Sequence, residues 1–445
     1  MPEIKKETGK TEKTYSICPV CRKRIPALRM RKGNGIILGK KCPVHGKFYA
    51  PLWRGYIDPD KWKGRIPAVA EEESRNCASC PGIADCSDHR RDTCCTLLEV
   101  TDRCNMHCEF CFAPSCRKED PPTGTVKGWI SDLTVSGKTF LQLSGGEPTL
   151  RDDLPELVRF AKIAGCKFVQ VNTNGMRLAQ DEAYVKELAE AGLDIVFLSF
   201  DGVNEDVYLR LRRRPMMEIK KKAIRNCGKY GIGVTLVPVI VPGVNVQEIG
   251  EILRFGIAHS PVVRGIHFQP VSFFGRIPHE PKGGDRFTLD QMIFELAKQS
   301  GGLVKTGNLI PSCCDHPMCG FHGDFIVLPD QTLMALSKKK SCCCGSAQPE
   351  IDPAEMNREF IGKRWKAALE SGVPEAERTD AAGLDMTDLD TFLTRAKQYT
   401  FTLTSMAFLD AWNLDLERLM QCSLHVYKGG KIRPFCAYYN GMYTF

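Results

Sequence analysis

The chain has 445 residues, of which 43% are hydrophobic and 26% charged, a composition typical of globular proteins that excludes disorder throughout. The formal net charge of +8 favours an anionic partner without identifying one. The first residues lack the apolar core of a secretory signal, and no apolar run approaches the roughly 18 residues needed to cross a bilayer. We therefore expect a cytoplasmic protein, peripheral at the inner membrane face at most, whose 22 cysteines bind metals.

Residues 1–58 form the first predicted unit, a metal ribbon. It contains "CPVC" and, twenty residues later, "CPVH", which supply Cys18, Cys21, Cys42 and His45. Two short chelating turns at this separation are typical of ribbon sites that hold one metal ion. The sequence predicts a mononuclear metal here and leaves iron and zinc open.

Residues 59–95 form a second unit, rich in Gly and Asp and too polar to be a core. Its thiols are Cys77, Cys80, Cys86 and Cys94, with His89 and Cys95 as further candidate ligands. Four soft thiolates suit either zinc or a four-iron cluster. We expect an accessory metal site in this unit.

Residues 96–285 alternate short apolar runs with segments long enough for helices. The runs "TLLEVT", "TFLQLS", "KFVQVNT", "DIVFLSF", "VTLVPVI" and "GIHFQP" are strand-like. Six successive βα units predict a parallel sheet, open or curled into part of a barrel. Ligands of such sheets bind at the carboxyl ends of the strands, where this sequence places "SGGEP", "NTNG" and "SFDG".

Three thiols follow the first of these strands, in "TDRCNMHCEFCFA". Cys104, Cys108 and Cys111 can hold three irons of a four-iron cluster, which leaves the fourth iron open to another ligand. The missing fourth thiol predicts a cluster that binds something besides the protein.

Cys104-x3-Cys108-x2-Cys111 followed by "LSGGEPTL" resembles the radical S-adenosylmethionine (SAM) superfamily. The resemblance implies a partial (β/α)6 TIM-like barrel in which the open iron of a [4Fe–4S] cluster binds SAM and an electron cleaves it to a 5'-deoxyadenosyl radical. It also implies roles for several residues. Gly145, Gly146 and Glu147 would hold the methionine amine; Phe110 would pack near the adenine; Asn172, Asn174, Ser199 and Asp201 would bind the carboxylate or ribose, or alternatively form turns.

"RGIHFQPVSFFGR", "CCDHPMCG" and the C-terminal "QCSLHVYKGGKIRPFC" narrow the resemblance to archaeal tetraether lipid synthases and their close relatives. That resemblance implies C–C coupling between isoprenoid lipid tails, a mononuclear iron, and one or two accessory [4Fe–4S] clusters. Residues 286–445 would then be an α+β domain that covers the substrate. The second accessory cluster would use Cys313 or Cys314, Cys319, Cys422 and Cys436, with the "CCC" of residues 342–344 as competitors.

The sequence also leads to expectations about binding partners and to two alternative functions. We expect a lipid or other hydrophobic substrate, reduced ferredoxin or flavodoxin as electron donor, and solvated helix faces at the basic segments 209–215 and 218–225. One alternative is a radical SAM enzyme that modifies a peptide, a pterin or another small metabolite. The other is a zinc-ribbon module for nucleic acid, although we expect no nucleic-acid partner because the basic segments lack interleaved aromatic residues.

Overall fold

The computed structural model describes residues 10–63, 93–113, 119–336, Arg358 and 389–442. The N-terminal unit is a four-stranded antiparallel sheet in the order β1-β2-β3-β4. Its strands are β1 (Thr11–Ile17), β2 (Arg24–Lys32), β3 (Gly35–Cys42) and β4 (Gly46–Trp53). This unit is the ribbon predicted from the two cysteine turns.

One face of the ribbon packs on the main body through buried polar contacts. Arg29 Nε donates to Asp415 Oδ2 at 2.6 Å, and Lys40 Nζ donates to the carbonyl of Ala411 at 2.6 Å. Asp290 accepts from three successive backbone N–H groups, those of residues 54 to 56. Since each contact satisfies groups that are shielded from water, this face of the ribbon is fixed in place.

The six strand-like runs of the core all form strands. They are β5 (Cys95–Thr101), β6 (Phe140–Gly145), β7 (Phe168–Thr173), β8 (Ile195–Ser199), β9 (Gly233–Val237), which Pro238 separates from the short β10 (Val239–Ile240), and β11 (Val263–Pro270). The helices are α1 (Thr123–Val135), α2 (Leu154–Ile163), α3 (Met176–Gln180), α4 (Glu182–Glu190), α5 (Glu205–Arg212), α6 (Met217–Lys229), α7 (Ile249–Ala258) and α8 (Leu289–Gln299). Neighbouring strands from β5 to β11 pair in parallel, as predicted.

The C-terminal third extends the same sheet at both edges. Its strands are β12 (Ile310–Pro311), β13 (Gly320–Val327), β14 (Leu333–Ala335), β15 (Thr400–Met406), β16 (Leu424–Lys428) and β17 (Lys431–Pro434), and its helices are α9 (Leu389–Gln398), α10 (Leu416–Leu419) and α11 (Phe435–Tyr439). β15 pairs in parallel with β11, and β16 pairs in parallel with β5. Two more parallel strands, β15 and β16, therefore flank the six predicted ones. The domain boundary at residue 285 stays a prediction.

Alternating residues divide the strands between two environments. Leu141, Val169, Val196 and Leu236 belong to the large core shared with the helices. Their neighbours in sequence, such as Gln142 and Gln170, line the interior of the curled sheet. The period-2 pattern thus gives the barrel an apolar outside and a mixed inside.

Several predicted features lie outside the described residues. These are Cys77, Cys80, Cys86, His89 and the "CCC" of residues 342–344. Within the described part of the chain, no helix combines the length and apolar character that crossing a membrane demands.

Candidate active site

The three predicted cluster thiols lie in the loop after β5. Cys104, Cys108 and Cys111 all line a cavity of about 340 Å³ inside the curled sheet. Arg276 fixes this loop: its backbone exchanges hydrogen bonds with Cys111 at 3.1 and 2.8 Å, and its guanidinium donates to the carbonyl of Cys108 at 3.1 Å. Burial raises the pKa of Cys104 to about 11, so a metal that binds there displaces a proton. Three thiols on one anchored loop fit a cluster with an open iron.

Gly145 and Gly146 bring the end of β6 against this loop. A Cβ atom on Gly145 would lie 2.1 Å from the carbonyl oxygen of Thr101, and one on Gly146 would lie 2.1 Å from that of Arg103. Gly145 also has a φ of 120°, which side chains disfavour. Both glycines are therefore needed so that the "GGE" segment can contact the cysteine loop.

Glu147 is buried and connects β6 to the end of β7. Its carboxylate accepts from the Thr173 hydroxyl at 2.7 Å, the Asn174 N–H at 2.7 Å and the Thr149 hydroxyl at 2.6 Å. The side chain also lines the cavity. Because Glu147 accepts these hydrogen bonds, it positions the end of β7. Its contact to the methionine amine stays a prediction.

The other predicted SAM ligands divide into two groups. Phe110, Asn172, Asn174 and Ser199 line the same cavity as the three thiols. Asp201 is fully buried outside the cavity lining, and its carboxylate accepts from Arg212 at 2.6 and 2.8 Å. The structure therefore places Asp201 behind the cavity wall, where it holds Arg212.

The prediction that the basic segments 209–215 and 218–225 face solvent is wrong at two positions, Arg212 and Lys220. Arg212 lines the cavity with its side chain 11% exposed. Lys220 is completely buried and donates to the carbonyl of Asn174 at 2.6 Å and to Ser199 Oγ at 3.1 Å. Burial lowers the pKa of Lys220 to about 7.

A signal for Lys220 was present in the sequence. Lys220 lies on the buried side of α6 with Met217, Ala223 and Ile224, at helical spacing. A lysine on an apolar stripe indicates a buried partner. Arg212 gave a weaker signal, four residues after the buried Tyr208 on α5.

The floor of the cavity is apolar and its middle is polar. Phe140, Phe168, Ile195 and Phe197 form a buried cluster, with Phe140 and Phe168 stacked at 4.3 Å, and Phe140 and Phe197 of this cluster line the cavity as its floor. The polar side chains of Gln142, Gln170, His267 and Thr404 also line the cavity.

Polar atoms in this middle layer differ in their hydrogen bonds. His267 Nδ1 lies 2.8 Å from Thr404 Oγ1, and burial lowers the pKa of His267 to about 4, so the ring is neutral near pH 7. The side-chain oxygens of Gln170 and Asn172 are buried and have no hydrogen-bond partner among the described residues. Because such atoms are costly to bury, they indicate a ligand with hydrogen-bond donors.

The predicted accessory-cluster thiols fall into two groups. Cys314 packs against Cys94, and both line the cavity together with Cys95. Cys319, Cys422 and Cys436 line a separate small void with Arg418. The arginine donates to Cys319 Sγ at 3.3 Å, and the Leu409 N–H donates to Cys436 Sγ at 3.2 Å. The sequence grouped Cys314 with these three thiols. The structure instead places it against Cys94, a predicted ligand of the second unit.

The ribbon brings its four predicted ligands together. The ligand atoms of Cys18, Cys21, Cys42 and His45 all lie within 4.8 Å of one another. His45 Nδ1 is 3.5 Å from Cys18 Sγ and 3.4 Å from Cys42 Sγ. Three thiols and one imidazole are a donor set that suits tetrahedral zinc, and iron also accepts it.

Comparison with known proteins agrees with this geometry. The family model described as "Radical SAM superfamily" matches residues 98–256, and that described as "HMPTM N-terminal zinc ribbon domain" matches residues 11–54. A 7,8-dihydro-6-hydroxymethylpterin dimethyltransferase of Methanocaldococcus jannaschii is 31% identical over 96% of this chain and 93% of its own length. The chain belongs to the radical SAM superfamily, in the family of this dimethyltransferase.

Other matches to this radical SAM enzyme cover less of the chain. A probable GTP 3',8-cyclase of Methanothermobacter thermautotrophicus is 36% identical over 38% of this chain, which spans about half (55%) of that relative. The crystal structure of a methylornithine synthase has 18% identity and a TM-score of 0.38 over 50% of this chain and 65% of its own. Membership confirms the predicted SAM and [4Fe–4S] cofactors, the dependence on a reductant, and the barrel with its N-terminal metal ribbon.

Proposed function

We propose that this radical SAM enzyme modifies a reduced pterin at a carbon atom, with methylation as the expected outcome. The name of the dimethyltransferase that matches nearly the whole chain supports a pterin substrate. It favours the pterin alternative over the lipid-coupling interpretation.

The observation that carries the proposal is the layer of buried amides in the cavity. Gln170 and Asn172, whose side-chain oxygens are buried without a hydrogen-bond partner among the described residues, line the cavity together with the neutral His267. A pterin ring carries several N–H donors and ring acceptors at its edge, and its faces are aromatic. Such a ring would satisfy the amide oxygens while its face packs on Phe197.

Bound SAM and the cluster supply the 5'-deoxyadenosyl radical, and the protein positions both of them relative to the substrate. Cys104, Cys108 and Cys111 would hold the cluster at the carboxyl ends of the strands. Asn174 and Ser199, both held by Lys220, would orient SAM beside it. The phenylalanine side chains of the cavity floor, Phe140 and Phe197, would exclude water from the substrate beside these groups.

A second candidate is the coupling of isoprenoid lipid tails. It is favoured by the aromatic side of the cavity, where Phe112, Phe408 and Phe435 line the space next to the cysteine loop. Phe408 and Phe435 are stacked at 4.4 Å, and Phe435 lies 5.5 Å from Phe112. Together with the phenylalanine floor, these rings would suit an aliphatic chain.

The test is anaerobic turnover with SAM, a strong reductant and one substrate at a time, following 5'-deoxyadenosine and substrate mass. With 7,8-dihydro-6-hydroxymethylpterin we expect one SAM molecule to give deoxyadenosine and methionine, and the pterin to become heavier by a methyl group that a second SAM molecule donates, which leaves S-adenosylhomocysteine; the reductant supplies one electron for each step. If instead an archaeal diether lipid loses hydrogen while the pterin is unchanged, the pterin proposal fails. The variant Gln170→Leu separates the two substrates, because it removes an acceptor that a pterin needs and an aliphatic tail does not.

A further inference from the structure

The ribbon has an outer face that turns away from the barrel. Residues Lys13, Leu28, Gly39 and Tyr49 form one row across its four strands. Because alternate residues of a strand point to opposite faces, these side chains share the side opposite to Arg29 and Lys40, which bind the main body. The outer face is therefore not the one that packs on the barrel.

The centre of this outer face is apolar and exposed. Tyr49 is 62% exposed, Tyr15 47%, Leu28 40% and Ile37 38%. Gly39 lies among them, and a Cβ there would be 2.7 Å from the terminal methyl of Met30 and 3.1 Å from the Tyr49 ring. These two side chains therefore close over the glycine, which makes the apolar patch continuous.

The ribbon is also strongly basic. Residues 10–54 contain twelve Lys and Arg residues and a single acid, Glu12. On the inner face Arg29 is neutralised by Asp415. On the outer face the exposed Lys13, Lys32, Lys41 and Lys47 form no ion pair with any residue that the structure describes. Positive charge is thus concentrated around the apolar patch.

We propose that the outer face of the ribbon docks this enzyme on an anionic phospholipid bilayer. Lysines around exposed aliphatic and tyrosine side chains match a surface that is negative at the headgroups and apolar just beneath. Nucleic acid fits less well, because bases would stack on Tyr15 and Tyr49 but would leave the aliphatic Leu28, Met30 and Ile37 uncovered. An acidic protein would form the same ion pairs with the lysines. The two exposed tyrosines favour lipid, because a ring with a hydroxyl at its tip suits the boundary between lipid and water. The proposal concerns where the enzyme binds and is independent of its substrate.

The test is flotation of the metal-loaded full-length protein with two kinds of vesicle. One is phosphatidylcholine alone, and the other is an equal mixture of phosphatidylcholine and phosphatidylglycerol. We expect binding to the mixed vesicles that weakens as salt is added, because the lysine contribution is screened. No binding to the mixed vesicles, or equal binding to both kinds, overturns the proposal.

Two variants assign the binding to this face. Lys13→Glu/Lys32→Glu/Lys47→Glu should weaken binding to mixed vesicles by about 100-fold or more, since each lysine near an anionic surface contributes several-fold. Ile37→Ser/Tyr49→Ser should remove the part of the binding that survives high salt. Ribbon metal content and 5'-deoxyadenosine formation report that these proteins are folded.

The matched control, Lys167→Glu/Lys186→Glu/Lys222→Glu, reverses the charge of three exposed lysines outside the ribbon. It makes the same change in net charge and should retain most of the vesicle binding. If this control weakens binding as much as the ribbon variant, overall charge and not the outer face is responsible, and the proposal fails. Binding of a single-stranded oligonucleotide in place of vesicles would assign the face to nucleic acid.

Discussion

Asp315 binds Ser423 across the gap between the two edges of the barrel sheet. The Asp315 carboxylate, in the turn between β12 and β13, accepts from the Ser423 N–H at 2.8 Å and from its hydroxyl at 3.0 Å. Ser423 immediately precedes β16, which lies at the opposite end of the row of parallel strands. This contact closes the curled sheet beside the cavity.

Asp315→Ala should destabilise the protein by about 1–3 kcal/mol, because it leaves the buried N–H of Ser423 without an acceptor. Urea unfolding of the metal-loaded protein measures this change. Asp330→Ala is the control, since Asp330 is exposed and caps only a local turn with Thr332. Equal destabilisation by both substitutions would show that the closing contact contributes nothing specific.

Gly146→Ala should prevent the "GGE" segment from contacting the cysteine loop. The new Cβ would lie 2.1 Å from the carbonyl oxygen of Arg103, so the two segments must separate. We expect loss of SAM binding and destabilisation by about 2 kcal/mol or more, measured by the SAM-induced change in the cluster EPR spectrum and by unfolding. Gly128→Ala in α1, where a Cβ meets nothing within 4 Å, should instead stabilise slightly.

Lys220→Met should weaken SAM binding by about tenfold or more without loss of iron. The substitution keeps the length of the side chain but removes the donors that hold Asn174 and Ser199, at a cost of about 1–3 kcal/mol. Titration of the reconstituted protein with SAM gives the affinity. Lys222→Met, on the exposed side of the same helix, should bind SAM like the parent protein; a similar loss there would contradict a positioning role for Lys220.

The half-buried His267 in the cavity wall should make the protein sensitive to acid. Its pKa is lowered by burial to about 4, from an ordinary value near 6.5, so the unfolded chain takes up the proton first. The stabilising contribution of the neutral ring is complete above about pH 6.5 and is lost as the pH falls toward 4, by at most about 3 kcal/mol.

His267→Asn should flatten the fall in unfolding free energy between neutral pH and about pH 5. Unfolding curves at several pH values measure this slope. The same substitution at the exposed His279 should leave it unchanged. An unaltered slope in His267→Asn would mean that other groups cause the acid sensitivity.

The separation of the accessory thiols predicts two independent metal sites. Cys314→Ser and Cys319→Ser should each reduce the iron content of the reconstituted protein by up to about four atoms, and the double variant should lose the sum. If all these cysteines served one cluster, as the sequence suggested, the double variant would lose no more iron than either single variant. Iron and sulfide counts distinguish the two results.

The sequence alone determined the features that depend on neighbours along the chain. The six strands, the "CNMHCEFC" loop, the "GGE" segment and the four ribbon ligands could be located because strand periodicity and ligand spacing are local properties. The ribbon ligands needed only two short turns brought together by one antiparallel sheet. Membership of the radical SAM superfamily follows from two of these motifs on successive strand ends.

Only the tertiary structure decided which distant groups meet. The pairing of β15 and β16 with opposite edges of the barrel joins residues hundreds of positions apart, and with it the contact of Cys314 with Cys94. The burial of Arg212 and Lys220 likewise depends on partners, Asp201 and Asn174, on other elements. Helical spacing indicates that Lys220 lies on a buried side of its helix, but it does not identify the acceptor on another element that makes burial of the charge possible.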